Sequence, residues 1–444
     1  MSIDVSSLKI PRKTVMIYAE NFGCAANKFD LEVMLGQLAA AGYGLTDDIN
    51  SADLILVNTC AVKKPTEDRV IERLRSLRRL GKPLIIAGCL PRINFNAVLN
   101  AVPDFSAALD PRSVNKIVSA VKAALNGEKR RIFRSDSPLL KLELPRVRLN
   151  PVIEIIAICE GCSGACTFCC VRFARGSSYS CPREAICENV SRAVSNGAKE
   201  IWLTSQDNGS YGMDIGTNLA ELLGDCCKVK GRFKIRVGMM NPNRVIPMLD
   251  ELVDAYKHGK IFKFLHVPVQ SGDNEILKRM NRRYTAEQFK HIVEVFRKNV
   301  PDITISTDVI CGFPGETQDA FEKTLRLIEE VQPDIVNISR FFSRPGTPAE
   351  KMEQVDYREI RDRSRRTTFL VRQISLKRNK RWLGWKGEIL IDEKGKDGSW
   401  IGRNFAYKPI VVKSARNLLG KFLEVRVTKV FSTYLEAEIV EQIA

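Results

Sequence analysis

At 444 residues, with 44% of them hydrophobic, the chain is long enough for two to four packed domains. Lys and Arg outnumber Asp and Glu by 69 to 52, a formal +17, and that excess suits a polyanionic partner, RNA or DNA ahead of a membrane surface. Thirteen cysteines behind a polar start, with no apolar signal core, argue against disulfides and for metal binding in a reducing, cytoplasmic compartment; no stretch approaches the ~20 apolar residues that cross a bilayer.

In chain order, Val15–Ala19, Leu54–Asn58 and Leu84–Gly88 read as short buried strands of a parallel sheet. Leu31, Met34, Leu35 and Leu38 mark a helix between the first two, and further helices are expected over Glu67–Leu80 and Val114–Leu125. Alternating strands and helices give a doubly wound α/β domain over residues 14–135. Cys24, Cys60 and Cys89 each fall in a loop after one of these strands. The carboxyl edge of such a sheet is where these folds bind ligands, so the three thiols are expected to converge on a second iron–sulfur site, with three ordinary buried cysteines as the alternative. Gly127–Pro151, basic at Lys129–Arg131 and punctuated by prolines, reads as a linker.

An apolar strand at Val152–Ile158 runs into Cys162-Ser163-Gly164-Ala165-Cys166-Thr167-Phe168-Cys169. Three thiolates at x₃ and x₂ spacing can hold a 4Fe–4S cube by three irons and leave the fourth open to a small molecule. A zinc knuckle with Cys159 as fourth ligand is the competing reading. Five more strands follow, at Glu200–Thr204, Lys234–Val237, Phe264–Val267, Thr304–Ile310 and Asp334–Arg340, most of them separated by helices. That repetition suggests a partial TIM-type barrel whose working face lies at the strands' carboxyl ends. Polar, Gly-containing loops at those ends, such as Ser205–Gly209 and Cys311–Thr317, suit a small-molecule pocket. The three histidines, His258, His266 and His291, form no evident dyad.

Asp356–Lys386 is strongly basic, with an apolar thread at Phe369, Val371, Ile374 and Leu376, and reads as a helix with a cationic side that contacts phosphate. The tail changes to short strands, expected to close a small β-barrel. Trp400, Phe405 and Tyr407, with Arg403 and Lys408 among them, are either a stacking platform for single-stranded RNA or core.

Taken together these pieces resemble the radical S-adenosylmethionine (SAM) methylthiotransferases. The resemblance implies a methylthiotransferase domain at 14–135, a radical SAM core at 148–376 and a TRAM domain at 377–444. It implies two 4Fe–4S clusters, on Cys24, Cys60 and Cys89 and on Cys162, Cys166 and Cys169, facing one another across a shared cavity. Ser205, Gln206 and Asp207 match the family's SAM-contacting region, and Arg175, Gln270 and Ser271 are carried as further SAM contacts. Asn58–Glu67, Ser205–Gly212 and Val237–Pro242 look like the branch that acts on N6-threonylcarbamoyladenosine at position 37 of tRNA. The implied partners are tRNA, SAM and an electron donor such as a flavodoxin or ferredoxin, without a membrane. One SAM would donate a methyl group to sulfur at the auxiliary cluster. A second would be cleaved to the radical that opens the adenine C2–H, a bond that offers no acidic proton to a side-chain base. Methylthiolation of N6-isopentenyladenosine or of a ribosomal protein is the alternative within the family, and a zinc-containing RNA-binding protein the alternative outside it.

Overall fold

The computed structural model describes residues 14–442. One compact unit ends at Val147 and a second begins at Arg148.

The first unit is built on six parallel strands: β1 (Met16–Asn21), β2 (Gly44–Thr46), β3 (Leu54–Thr59), β4 (Leu84–Gly88), β5 (Ala107–Leu109) and β6 (Arg131–Phe133). Their order is β2-β1-β3-β4-β5-β6. β3 and β4 are buried along their whole length, as the unbroken apolar runs require of strands covered on both faces. The order reverses between β1 and β3, and that switch point is the natural ligand crevice of a doubly wound sheet. Helices Ala25–Ala40 and Lys64–Arg78 lie near their expected places, while the third expected helix breaks into a 3₁₀ turn, Pro111–Lys116, and a helix, Ile117–Leu125.

The expected linker is not a free connection. Its basic start runs into β6, and residues 141–147 pack back on helix Ala25–Ala40. Lys141 Nζ meets Asp30 Oδ1 at 2.6 Å with both side chains buried, and the Arg146 guanidinium lies over the Phe29 ring at 5.2 Å. Proline punctuation carries no information about what the segment packs against.

The second unit opens with a parallel arc of six strands interleaved with a small hairpin. In chain order they are β7 (Ile153–Ala157), β8 (Cys159–Glu160), β9 (Tyr179–Ser180), β10 (Glu200–Thr204), β11 (Lys234–Val237), β12 (Phe264–His266), β13 (Thr304–Cys311) and β14 (Ile335–Arg340). β8 and β9 form the hairpin; β11-β10-β7 and β12-β13-β14 are the two halves of the arc. The halves are stitched by the Ile235–Ile261 bridge and by Met240 N–H donating to His266 O at 3.0 Å. β7 and β14 are left as its edges, so this is an open (βα)₆ barrel.

The long helix Tyr357–Lys380 then runs beside β14. Its first residue, Tyr357, accepts a hydrogen bond from Arg340 at the carboxyl end of β14 (2.7 Å), whereas Ser375 donates to the Asp334 carbonyl at the amino end (2.9 Å). Of the expected apolar thread only Ile374 is buried: Phe369 is 67% exposed, and Ile360, Arg363 and Thr367 complete the inward face.

The tail closes a five-stranded barrel of β15 (Lys386–Lys394), β16 (Ser399–Arg403), β17 (Pro409–Lys413), β18 (Phe422–Val430) and β19 (Leu435–Gln442). The choice left open for its aromatics resolves as core. Trp400 and Tyr407 are buried, and Phe405 packs on Trp382 and Trp385. The Asn404–Lys408 loop plugs the amino ends of the (βα)₆ strands. Tyr407 packs edge-on against Phe262 and tilted against Phe264 and donates to Glu200 Oε1 at 3.1 Å, and buried Lys408 meets Asp334 Oδ1 at 3.0 Å. Arg403 pairs with Asp392 at 3.1 Å. These cations are internal ties and not a surface for RNA. No described helix is long and apolar enough to cross a membrane.

Candidate functional site

In the first unit, Cys24 caps helix Ala25–Ala40 just after β1, Cys60 follows β3 and Cys89 follows β4, so the switch point gathers all three. Asn27 sits at their centre. Its Nδ2 donates to the Thr59 and Phe22 carbonyls at 2.8 and 3.2 Å, which fixes the amide. Its Oδ1 then stands 3.8 Å from Cys24 Sγ and 3.7 Å from Cys89 Sγ. Gly23, at φ +141°, completes the cradle: a Cβ there would lie 3.0 Å from Cys60 Cβ and 2.9 Å from Asn27 Nδ2. Asn58 donates to Asn21 Oδ1 at 2.9 Å and to the Asn27 carbonyl at 2.6 Å, while its own Oδ1 is buried without a hydrogen-bond partner. A soft three-thiol set backed by a rigid amide network, with Cys24 exposed and the other two buried, suits a cluster held by three irons.

In the second unit, Cys162, Cys166 and Cys169 occupy the loop after β7 and β8, at the carboxyl end of the barrel strands, all three half-buried. Backbone contacts from three sides hold this loop. Gly161, at φ +85°, lets the chain pass the Ser177 carbonyl where any Cβ would collide, and its N–H donates to Gln206 Oε1 at 2.6 Å. Thr167 N–H donates to Met280 O at 3.1 Å, and Ala349 N–H to Thr167 O at 2.9 Å. Asn281 Nδ2 donates to Ala165 O at 2.8 Å. Gly164 keeps a hollow between sulfurs: a Cβ there would stand 3.2 Å from Cys162 Sγ and 3.9 Å from Cys166 Sγ. Phe168 anchors the loop edge-on against Phe313. Burial pushes the Cys162 and Cys169 thiols up, an environment in which a thiolate needs positive charge beside it.

That charge is supplied in part by a residue sequence reasoning missed. Arg282 Nη1 points at Cys166 Sγ from 3.2 Å, with Nε donating to Tyr284 OH at 2.8 Å. No carboxylate pairs with Arg282 among the described residues. The signal in the sequence was the cationic run Lys278-Arg279-Met280-Asn281-Arg282-Arg283, which pattern reading passes over as helix end and turn. Among the described residues, no three His, Cys, Asp or Glu side chains form a group that could hold a single metal ion. A four-iron cube, with its thiolates on separate irons, holds them wider apart than that. Cys159, the fourth ligand of the zinc alternative, is buried in the β8–β9 hairpin against Ser178 Oγ at 2.9 Å, with burial pushing it up to about 11.

The other expected SAM contacts divide in two. Ser205 and Gln206 stand half-buried in the loop after β10, the latter holding Gly161. Asp207 is buried and committed: it accepts from Asn241 N–H and Nδ2 at 2.9 and 2.7 Å and from Ser210 at 3.0 Å, tying the β10 loop to the β11 loop. Arg175 is a buried partner of Glu160 at 2.9 Å. Ser271, fully buried, braces the turn to Asp273, and Gln270, at φ +71°, bridges to β13 through its backbone. The reading of the histidines is corrected: His266 Nε2 lies 3.1 Å from Asp308 Oδ1, which also accepts from Asn337 Nδ2 at 2.7 Å. The pair is 42 residues apart in sequence, so only the register of β12, β13 and β14 reveals it.

The chain matches the Radical SAM superfamily over residues 156–328, the TRAM domain over 383–440 and, over 16–109, an uncharacterized protein family, UPF0004. A probable threonylcarbamoyladenosine tRNA methylthiotransferase of Pyrococcus horikoshii is 44% identical over 429 residues, covering 96% of this chain and 100% of the relative. The chain belongs to the threonylcarbamoyladenosine tRNA methylthiotransferase family. Membership extends across kingdoms, since the Drosophila melanogaster methylthiotransferase is 36% identical over 96% of this chain and 78% of its own length. Among solved structures, the radical SAM methyltransferase TsrM of Kitasatospora setae matches with a TM-score of 0.57 at 15% identity, over 76% of this chain and 75% of that one, a likeness of fold alone. For this methylthiotransferase, the family matches cover both cysteine trios, Cys24, Cys60 and Cys89 in one and Cys162, Cys166 and Cys169 in another.

Proposed function

We propose that this methylthiotransferase converts N6-threonylcarbamoyladenosine at position 37 of tRNA to its 2-methylthio derivative, with SAM, two 4Fe–4S clusters and an electron donor of flavodoxin or ferredoxin type, in the cytoplasm. The observation that carries the reading is the pair of three-thiol sets at strand carboxyl ends, in a chain that aligns over 96% of its length with relatives bearing that name. Cys162, Cys166 and Cys169 would hold the cluster that binds and reductively cleaves SAM; Cys24, Cys60 and Cys89 would hold the auxiliary one.

When bound, the clusters and SAM supply the radical chemistry and the sulfur that side chains cannot. The protein contributes positioning. Gln206 fixes the entry to the radical loop at Gly161, and Asp207 ties the β10 loop to the β11 loop. Arg282 sets a positive charge against Cys166. Asn27 and Asn58 brace the auxiliary trio. A base reaches such a site only when splayed from a single-stranded loop, which is how position 37 is presented beside the anticodon.

The test is mass spectrometry of tRNA nucleosides from a deletion strain. Loss of the methylthio nucleoside, restored by the wild-type gene and not by Cys89→Ala or Cys166→Ala, is expected; an unchanged nucleoside profile refutes the reading. Anaerobic purification should give about eight iron atoms per chain from two four-iron clusters. A zinc-only protein would return the assignment to a non-enzymatic RNA binder.

A further inference from the structure

The helix Tyr357–Lys380, with Arg381 just beyond it, carries eight arginines and two lysines whose surroundings differ sharply. Four are spoken for. Arg363 pairs with Glu316 and Glu359, Arg366 with Glu322, and Arg378 and Arg381 with Asp334. The others line up. Arg358, Arg361, Arg365, Phe369, Arg372 and Lys380 recur at spacings of three and four, which keeps them within an arc of about 100° on a 3.6-residue helix. All six are exposed, and Leu376 continues the stripe between the last two. One acid, Asp362, lies at the edge of the arc, and none of these cations is in an ion pair among the described residues. A solvated helix face is normally laced with i,i+4 partners of opposite sign; this one is not.

Position makes the stripe useful. At 24 residues the helix is about 36 Å long. Its start is tied to Arg340 at the carboxyl end of β14, and the loop that follows β14 touches the radical loop through Ala349 and Thr167. Its end is tied to the tail barrel, where Asn379 Nδ2 donates to the Phe431 carbonyl at 2.7 Å. The tail barrel plugs the strands' amino ends and the cysteines lie at their carboxyl ends, so the stripe is a cationic path between the two.

We propose that this stripe is the track on which the tRNA backbone lies between the tail barrel and the mouth of the (βα)₆ barrel, with Phe369 as a stacking surface for an unpaired base. The proposal rests on the functional reading above. Unpaired arginines at regular spacing complement a phosphate chain, and one exposed ring among them suits bases that stack without being read for sequence.

The test uses the full-length protein and an unmodified tRNA transcript, with binding followed by fluorescence anisotropy over a series of salt concentrations. Arg361→Ala, Arg365→Ala and Arg372→Ala should each weaken binding for all tRNA sequences alike. Each should also lower the slope of log affinity against log salt by about one. Phe369→Ala should weaken binding with the slope unchanged. Lys290→Ala, on a helix elsewhere in the barrel and paired with Glu330, is the control and should change neither. Slopes equal to wild type in the triple arginine variant overturn the track, as does loss of binding to anionic phospholipid vesicles in place of tRNA. If the triple variant binds tRNA normally and still modifies it in cells, the surface is wrong and the enzymatic reading stands. If the wild type binds no tRNA and the nucleoside assay is negative, the enzymatic reading itself has failed.

Discussion

Replacing Arg282 with Gln removes the cation aimed at Cys166 Sγ while keeping a side chain of similar reach. A positive charge beside a cluster stabilises its reduced, more negative form, and an N–H···S hydrogen bond acts in the same direction. Two unit charges at about 6 Å, twice the observed N···S separation, interact by about 3 kcal/mol at an effective dielectric of 20. Arg282 is half-buried, so solvent screening reduces this to about 1 kcal/mol. For a one-electron couple 1.4 kcal/mol is about 59 mV, so the radical cluster's midpoint potential should fall by about 50 mV. The measurement is an EPR-monitored redox titration in a Cys24→Ala, Cys60→Ala, Cys89→Ala background, where only the radical cluster is expected to contribute. Arg282→Lys should recover most of the shift. A Gln variant with full iron loading and an unmoved potential refutes the reasoning, and one that loses SAM affinity alone makes Arg282 a SAM carboxylate clamp instead.

The same triple cysteine variant should carry about four irons instead of eight, still cleave SAM under reduction, and form no methylthio nucleoside; iron analysis and product chromatography check both halves. Asp30→Ala removes the carboxylate that buried Lys141 meets at 2.6 Å and should cost about 3–5 kcal/mol in thermal unfolding. An Asp30→Leu, Lys141→Met double variant should be far milder, and a single-variant loss below about 1 kcal/mol would show the pair to be incidental. Burial pushes Glu200 up to about 8 at the joint between the tail barrel and the strands, with Asp392 adding to the push. A raised carboxylate is protonated when folded and ionised when unfolded, so its contribution is full below about pH 4.5 and lost as pH rises through about 8. Thermal midpoints should therefore fall across that window, and Glu200→Gln should flatten the decline; a wild-type profile without slope between those values would remove Glu200 as its cause.

What could be read from the sequence were the features that repeat or sit next to one another. The buried strands β3 and β4 announce themselves through apolar runs, and the radical cysteines fall within eight residues. Cys24, Cys60 and Cys89 were legible for a different reason: each follows a strand, and parallel topology puts strand ends together. Three-residue strands such as β2, β5 and β6 are too short to show a period. Contacts made across long separations were invisible: Arg282 to Cys166 spans 116 residues, and His266 to Asp308 spans 42. The basic tail residues misled because composition does not distinguish a cation facing solvent from one facing a buried carboxylate. Arg403 and Lys408 face Asp392 and Asp334.

The plug formed by Asn404–Lys408 bears on how the C-terminal barrel can be exchanged or removed. Lys408 and Tyr407 carry a salt bridge, a phenol and an edge-on aromatic contact into the feet of strands belonging to another part of the chain. Cutting the tail away would strip Asp334 of its buried lysine and lay Phe262 and Phe264 open to water. A chimera that borrows a foreign tail must therefore import a matching plug along with it. The unit of replacement is the barrel together with the socket that receives it.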